Sequence, residues 1–345
     1  MKKYLLSIAA LLLGLLAHSQ EADDLGNYAE VSVVTRLDLN PVFAKDASEF
    51  TLGNSSLYTR FTGSASEHFS WTLVNHWFSG SSFLGENADP WEYFHGLGCT
   101  QFTNFIDMAY VDLMFGNWTF TLGKQAMATG GHEYDDDDWD VYTGLASTFW
   151  NSLSCYQWGG TVAYTTPSEL STFSLQMTTS PYGEKPFTSG LWTWSAQWSG
   201  EYDWFAPTWS VTALQHDATG KRACDWFVVL GNQFLLDKWT IELDWTNCAG
   251  FKGDATRKIL GHNIHAKVNY APSERWNFAL QGNFCKNNEE FFEVDPWWNA
   301  GAIAEFFPLK DSDALRLHAY VAYDNLTNGC LLKVGARYNL TFKLW

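Results

Sequence analysis

Between Leu332 and Leu344 every second residue is apolar. Leu332, Val334, Ala336, Tyr338, Leu340, Phe342 and Leu344 share one face, and Lys333, Gly335, Arg337, Asn339, Thr341 and Lys343 share the other. Side chains on a β-strand alternate between faces, so this period of two describes a strand with one apolar and one polar side. The pattern returns through nearly the whole chain. In "EVSVVTRLDLN", Val31, Val33, Leu37 and Leu39 oppose Ser32, Arg36, Asp38 and Asn40. In "LRLHAYVAYD", Leu315, Leu317, Ala319, Val321 and Tyr323 oppose Arg316, His318, Tyr320 and Asp324. "NWTFTLG", "LWTWSAQW", "WTIELDW" and "RWNFALQGNF" follow the same rule, with Trp or Phe on the apolar side.

Counting such segments predicts about sixteen strands, an even number as bacterial outer-membrane barrels require. They begin near Ala29, Ser55, Glu67, Asn104, Asn117, Ser154, Ser171, Gly190, Phe205, Ala223, Trp239, Lys258, Arg275, Trp297, Ala314 and Gly329. Long polar connections follow odd strands. Short turns such as "GNW", "TTPSELS", "LDKW", "APSER" and "LKDSD" follow even ones. The expected fold is all-β: a transmembrane antiparallel barrel with long extracellular loops, short periplasmic turns and both termini in the periplasm. A soluble sandwich or propeller also has many short strands. Here, however, the apolar faces are crowded with Trp, Tyr and Phe at strand ends, and the opposite faces hold Ser, Thr, Gln, Asn and charges. Composition agrees: 17% of residues are aromatic and only 17% charged, where soluble domains carry about 25%. Amphipathic rings sit well at the depth of lipid headgroups.

The first residues read as an export signal. Lys2 and Lys3 precede an apolar stretch of about thirteen residues, Leu5 to Ala17, and "AHS" places cleavage between Ser19 and Gln20. The expected organisation is a signal peptide over 1–19 and a barrel over 20–345. Losing Lys2 and Lys3 takes the formal charge from -17 to -19. So acidic a chain excludes nucleic acid as a partner, since no basic face could neutralise phosphates. The partners expected are outer-membrane lipid and small polar solutes or ions, with a homotrimer left open.

Three segments carry a family resemblance: "LGKQAMATGGHEYD" (Leu122 to Asp135), "FWNSLSCYQWGG" (Phe149 to Gly160) and "TTSPYGEKPF" (Thr178 to Phe187). They resemble outer-membrane porins of Gram-negative Bacteroidetes, often grouped with the phosphate-selective porin O and P superfamily. The resemblance implies a passive channel in a Gram-negative outer membrane, not an enzyme. Phosphate-selective members have lumens rich in Lys and Arg, whereas this chain is acidic. The resemblance therefore speaks for a porin and does not name its solute.

Two charged groups then gain addresses. Arg36, Arg60, Arg316, Lys333 and Arg337 fall on polar faces of strands that barrel closure brings together, as one basic wall of a water-filled lumen. The alternative is that they pair with carboxylates such as Asp38 or Asp324 and knit the seam. The acidic run "GGHEYDDDDWD" puts Glu133, Asp135, Asp136, Asp137, Asp138 and Asp140 in the third and longest loop, about Met127 to Leu153. Such a loop, bent inward at Gly130 and Gly131, would narrow the channel and set carboxylates against the basic wall. A solvated surface run is the competing reading. No cofactor is expected. Calcium is the one ion the run could hold, although its spacing matches no EF-hand loop.

The expected function is passive diffusion of small polar solutes and ions through a barrel narrowed by the third loop. The alternatives are a channel selective for phosphate, another anion or an oligosaccharide, then a barrel hydrolase or an adhesin. His132 beside the Asp run is a generic pairing rather than a catalytic one. Six cysteines (Cys99, Cys155, Cys224, Cys248, Cys285 and Cys330) lie far apart with no CxxC, so their pairing is open. Cys224 and Cys248 flank one hairpin.

Overall fold

The computed structural model describes residues 27–43, 48–51, 55–79, 102–133, 141–147, 155–183, 186–218, 221–247, 261–286, 296–310, 312–325 and 328–344. The expected signal peptide and Asp135 to Asp138 with Asp140 lie outside them, as do Cys99 and Cys248.

The strands are β1 (Tyr28–Phe43), β2 (Ser48–Thr51), β3 (Ser56–Ser66), β4 (Phe69–Ser79), β5 (Phe102–Phe115) and β6 (Trp118–Ala126). There follow β7 (Tyr156–Thr165), β8 (Ser171–Thr179), β9 (Trp192–Gly200), β10 (Phe205–Ala218), β11 (Lys221–Leu236) and β12 (Trp239–Asn247). The last are β13 (His262–Ser273), β14 (Trp276–Lys286), β15 (Trp297–Phe306), β16 (Leu315–Asp324) and β17 (Gly329–Lys343). Sixteen of these are staves, each antiparallel to its chain neighbour, and β17 closes the ring on β1. The four-residue β2 is an addition rather than a stave. It folds back on the far end of β1, pairing Asn40 with Thr51 and Phe43 with Ser48. Closure removes every sheet edge, which a membrane requires because hydrocarbon offers no partner to an unpaired N–H or C=O.

Strand starts lie within four residues of the positions expected from the alternation; His262, against an expected Lys258, differs most. Three features were not expected. β2 lies within an expected loop, the stretch "NPVF" continues β1 instead of opening that loop, and a 3-10 turn, Thr143–Leu145, sits inside the third long connection. The short turns fall where composition placed them. Gly116 and Asp237 take positive φ of 56° and 48° in the two-residue turns after β5 and β11.

The two faces of the barrel separate as the alternation requires. Leu175 and Leu280 are 67% and 65% exposed, and Leu37, Trp226, Phe342 and Leu122 are likewise bare. Such a surface is stable only against lipid. The inward residues between them are polar: Gln176, Thr178, Ser195, Thr212, Asp244, Asn283, Glu305 and Arg316 are all buried. Across β6 to β10 the inward positions are mostly hydroxyls and amides, and they satisfy one another. Thr161 donates to Gln125 at 2.6 Å, Gln176 to Thr161 at 3.0 Å, and Ser195 and Thr212 share a 3.0 Å bond.

Candidate functional site: the third loop and the wall it meets

The connection from β6 to β7 turns into the barrel. Hydroxyls and carbonyls on the inner face of β10 lead it down. Thr212 donates to the carbonyl of Ala128, Ser210 to that of Thr129, and Gly131 N–H donates to the carbonyl of Thr208 at 3.1 Å. His132 Nε2 then meets the Ala206 carbonyl at 2.8 Å. The segment thus runs antiparallel along β10 from its long-loop end toward its short-turn end. Gln176 anchors the top of this run, accepting Ala128 N–H at 2.8 Å and donating to the Ala126 carbonyl.

Gly130 and Gly131 make the bend, as the sequence suggested. Their φ values are +73° and +87°, in the left-handed region that favours glycine. A Cβ at Gly130 would stand 2.6 Å from Ser210 Oγ, and one at Gly131 would stand 2.9 Å from Asp244 Oδ2. Conformation and space both demand glycine here.

Asp244 of β12 holds the bottom of the descent. Its Oδ2 accepts the N–H groups of His132 and Glu133 at 2.7 and 2.9 Å. Glu133 turns its own carboxylate to the other flank of the loop, where Ser147 N–H donates to Oε1 at 2.5 Å. His265 Nδ1 lies 3.8 Å from the same oxygen. Burial pushes the Glu133 carboxyl up to about 8, against the opposing pull of the Ser147 hydrogen bond.

Residues 141–147 dock on the opposite side. β14 lies eight staves round from β6, half of the sixteen-stave circuit. There Asn283 donates to the Leu145 carbonyl at 2.6 Å and Asn299 to that of Ala146 at 3.0 Å. Tyr142 donates to Glu305 at 2.5 Å, and the wholly buried Lys333 donates to the Val141 carbonyl at 2.8 Å. Val141, Tyr142 and Leu145 pack on Ala279, Ile303, Tyr320 and Ala322. Burying three such side chains contributes about 1.5–3 kcal/mol each before ordering costs. Both flanks of the acidic run, Glu133 and Val141, therefore sit on the inner wall.

The expected basic residues do come together. Arg337 pairs across the seam with Arg36 on β1 and on its other side with Arg316 on β16, placing three arginines in one row. Asp38 offsets them. It is fully buried and contacts Arg36 at 3.1 Å, His318 at 2.8 Å and Lys333 at 3.4 Å. Arg316 meets Glu305 at 3.0 Å. Arg60 differs: it is exposed, on an inward position opposite Ser32 and Val74. Seam pairing, the alternative weighed from sequence, thus describes the geometry of Arg36, Arg316 and Lys333.

Sequence reasoning missed Asp244, Glu305 and His265. Inward alternation marked each of them as polar and inward, but nothing local showed that a distant loop would reach them. Cys155, Cys224, Cys285 and Cys330 are thiols, and Cys285 is buried.

No protein-family model matches the sequence, and no curated protein matches it. Solved structures match it in shape. The outer membrane channel DcaP of Acinetobacter baumannii superposes with a TM-score of 0.63 at 11% identity, covering 91% of this chain and 98% of that one. Salmonella typhi OmpF in complex with daunomycin gives 0.62 at 12% identity, with the same coverage. A mutant of Rh. blastica porin gives 0.58 at 14% identity, covering 90% of this chain and all of the other. The fold is that of the outer-membrane porins.

Proposed function

We propose that this chain is a porin of a Gram-negative outer membrane, made with a cleaved signal over 1–19, through which small polar solutes and ions diffuse passively. The observation that carries the reading is the third loop, whose first flank is pinned on β10 and β12, four and six staves from β6, and whose second flank is pinned on β14 and β15, about half a circuit from β6. A loop held this way narrows the channel at the level of the acidic run. The basic wall of Arg36, Arg60, Arg316, Lys333 and Arg337, set against the carboxylates of Asp135 to Asp138, would then give a transverse field. Such a field orders water and sorts solutes by size and dipole. No covalent chemistry is involved, because transport follows the gradient.

Reversal potential in a planar bilayer tests this. Replacing Asp135 to Asp138 by Asn should shift selectivity toward anions; an unchanged reversal potential sinks the acidic constriction. A wild-type channel that already prefers anions would favour the phosphate-type alternative, with the arginine row dominating the pore. An absence of any conductance would favour a closed-lumen adhesin.

A further inference from the structure

We propose that the cavity beneath the third loop binds a small, uncharged, polyhydroxylated solute of the monosaccharide class. The inference deepens the channel reading and rests on it. The cavity holds about 290 Å³ and lies toward the short-turn end of the barrel, roofed by His132 and Tyr142 from the two flanks of the loop. Pockets for larger ligands reach about 1,000 Å³, so this one suits a small ring.

Its lining balances charge. Glu242 stands opposite Lys267 on neighbouring staves at one end, and Arg316 meets Glu305 at 3.0 Å at the other. Two carboxylates and two cations leave no net charge, so an anion or a cation would gain at one end what it lost at the other. A hydroxyl both donates and accepts, and can therefore serve either member of each pair. Between the ends, Ala279 and Ile303 pair across β14 and β15 and, packed with Tyr142 and Leu145, add only a small apolar edge to the lining. Asn269 supplies an independent pointer. Asn269 lines this cavity, and its amide oxygen is buried with no hydrogen-bond partner among the described residues. A buried acceptor left unmet is costly, and turning the amide into the cavity would let a solute hydroxyl meet it.

The test is ion-current blockade of single channels by glucose, with choline chloride and inorganic phosphate as the charged comparisons. Glucose should reduce the current saturably, and choline and phosphate at equal concentration should not. Asn269→Leu should raise the half-blocking concentration about fivefold, the loss expected for one hydrogen bond. Glu242→Gln, which keeps the shape of the lining, should raise it as well. Block absent, block equal for choline or phosphate, or block indifferent to both substitutions overturns the proposal. Conductance without glucose block leaves the porin reading standing and removes this site alone. If no current flows at all, the porin reading fails separately. Saturation-transfer NMR with glucose on the full chain in detergent then decides the site: binding lost in Asn269→Leu supports it, and no binding removes it.

Discussion

Asp244 accepts the backbone N–H of His132 at 2.7 Å, joining a loop residue to a stave that lies 112 positions further along the chain. The same oxygen takes the next amide, Glu133, at 2.9 Å. This carboxylate holds the end of the descending flank on the inner face of β12.

Asp244→Ala should therefore release the loop. Two buried N–H groups would lose their acceptor, at about 1–3 kcal/mol each. The expected result is higher single-channel conductance and faster proteolytic nicking between Glu133 and Val141. The barrel itself should survive, judged by unchanged heat-modifiable mobility on a denaturing gel. Unchanged conductance together with unchanged nicking would show that Asp244 does not hold the loop.

Docking of the loop should weaken as pH rises. The Glu133 carboxyl, pushed up to about 8 by burial, lies above its ordinary value of 4.5. Between those values the docked state holds a proton that the released state does not, so docking is strongest below about 4.5 and lost through about 8. By linkage the full swing reaches about 5 kcal/mol. Loop nicking measured from pH 5 to pH 9 should accelerate. Glu133→Gln, permanently neutral and still an acceptor for Ser147, should flatten the profile.

Gly131→Ala should reproduce the Asp244→Ala phenotype by a different route. Its φ of +87° costs an alanine about 1–3 kcal/mol. The added Cβ would also press on Asp244 at 2.9 Å and Val229 at 3.2 Å. Wild-type conductance in this variant would mean the bend tolerates a side chain.

Asp38→Asn should damage the barrel rather than the loop. It removes the carboxylate that Arg36, His318 and Lys333 share at the β1–β17 seam. Breaking a buried ion pair by deleting one partner costs about 3–5 kcal/mol. The unfolding temperature read from heat-modifiable mobility should fall, and the loss of a negative charge from the basic wall should move ion selectivity toward anions rather than leave it unchanged.

The staves were legible because a lipid-exposed barrel imposes its rule on every residue. Leu37 and Leu39 must face hydrocarbon, so Arg36 and Asp38, alternating with them, must face inward. That Arg36 stands opposite Arg337 came only with closure of the ring. The bend was legible too, because only glycine enters the left-handed region freely and Gly130 and Gly131 stand side by side. By contrast, β2 escaped notice: four residues of "SEFT" carry too short an alternation to separate strand from loop.

Sequence alone thus determined the number of staves, which faces meet lipid, and the address of the acidic loop between β6 and β7, since each follows from local periodicity. Where that loop lies was decided only by the tertiary structure. Closing the ring brings Asp244, Asn283, Glu305 and Lys333 within hydrogen-bonding reach of residues more than a hundred positions away. Whether the arginines pair was decided there as well, because an ion pair depends on which staves become neighbours. No spacing in the chain records that.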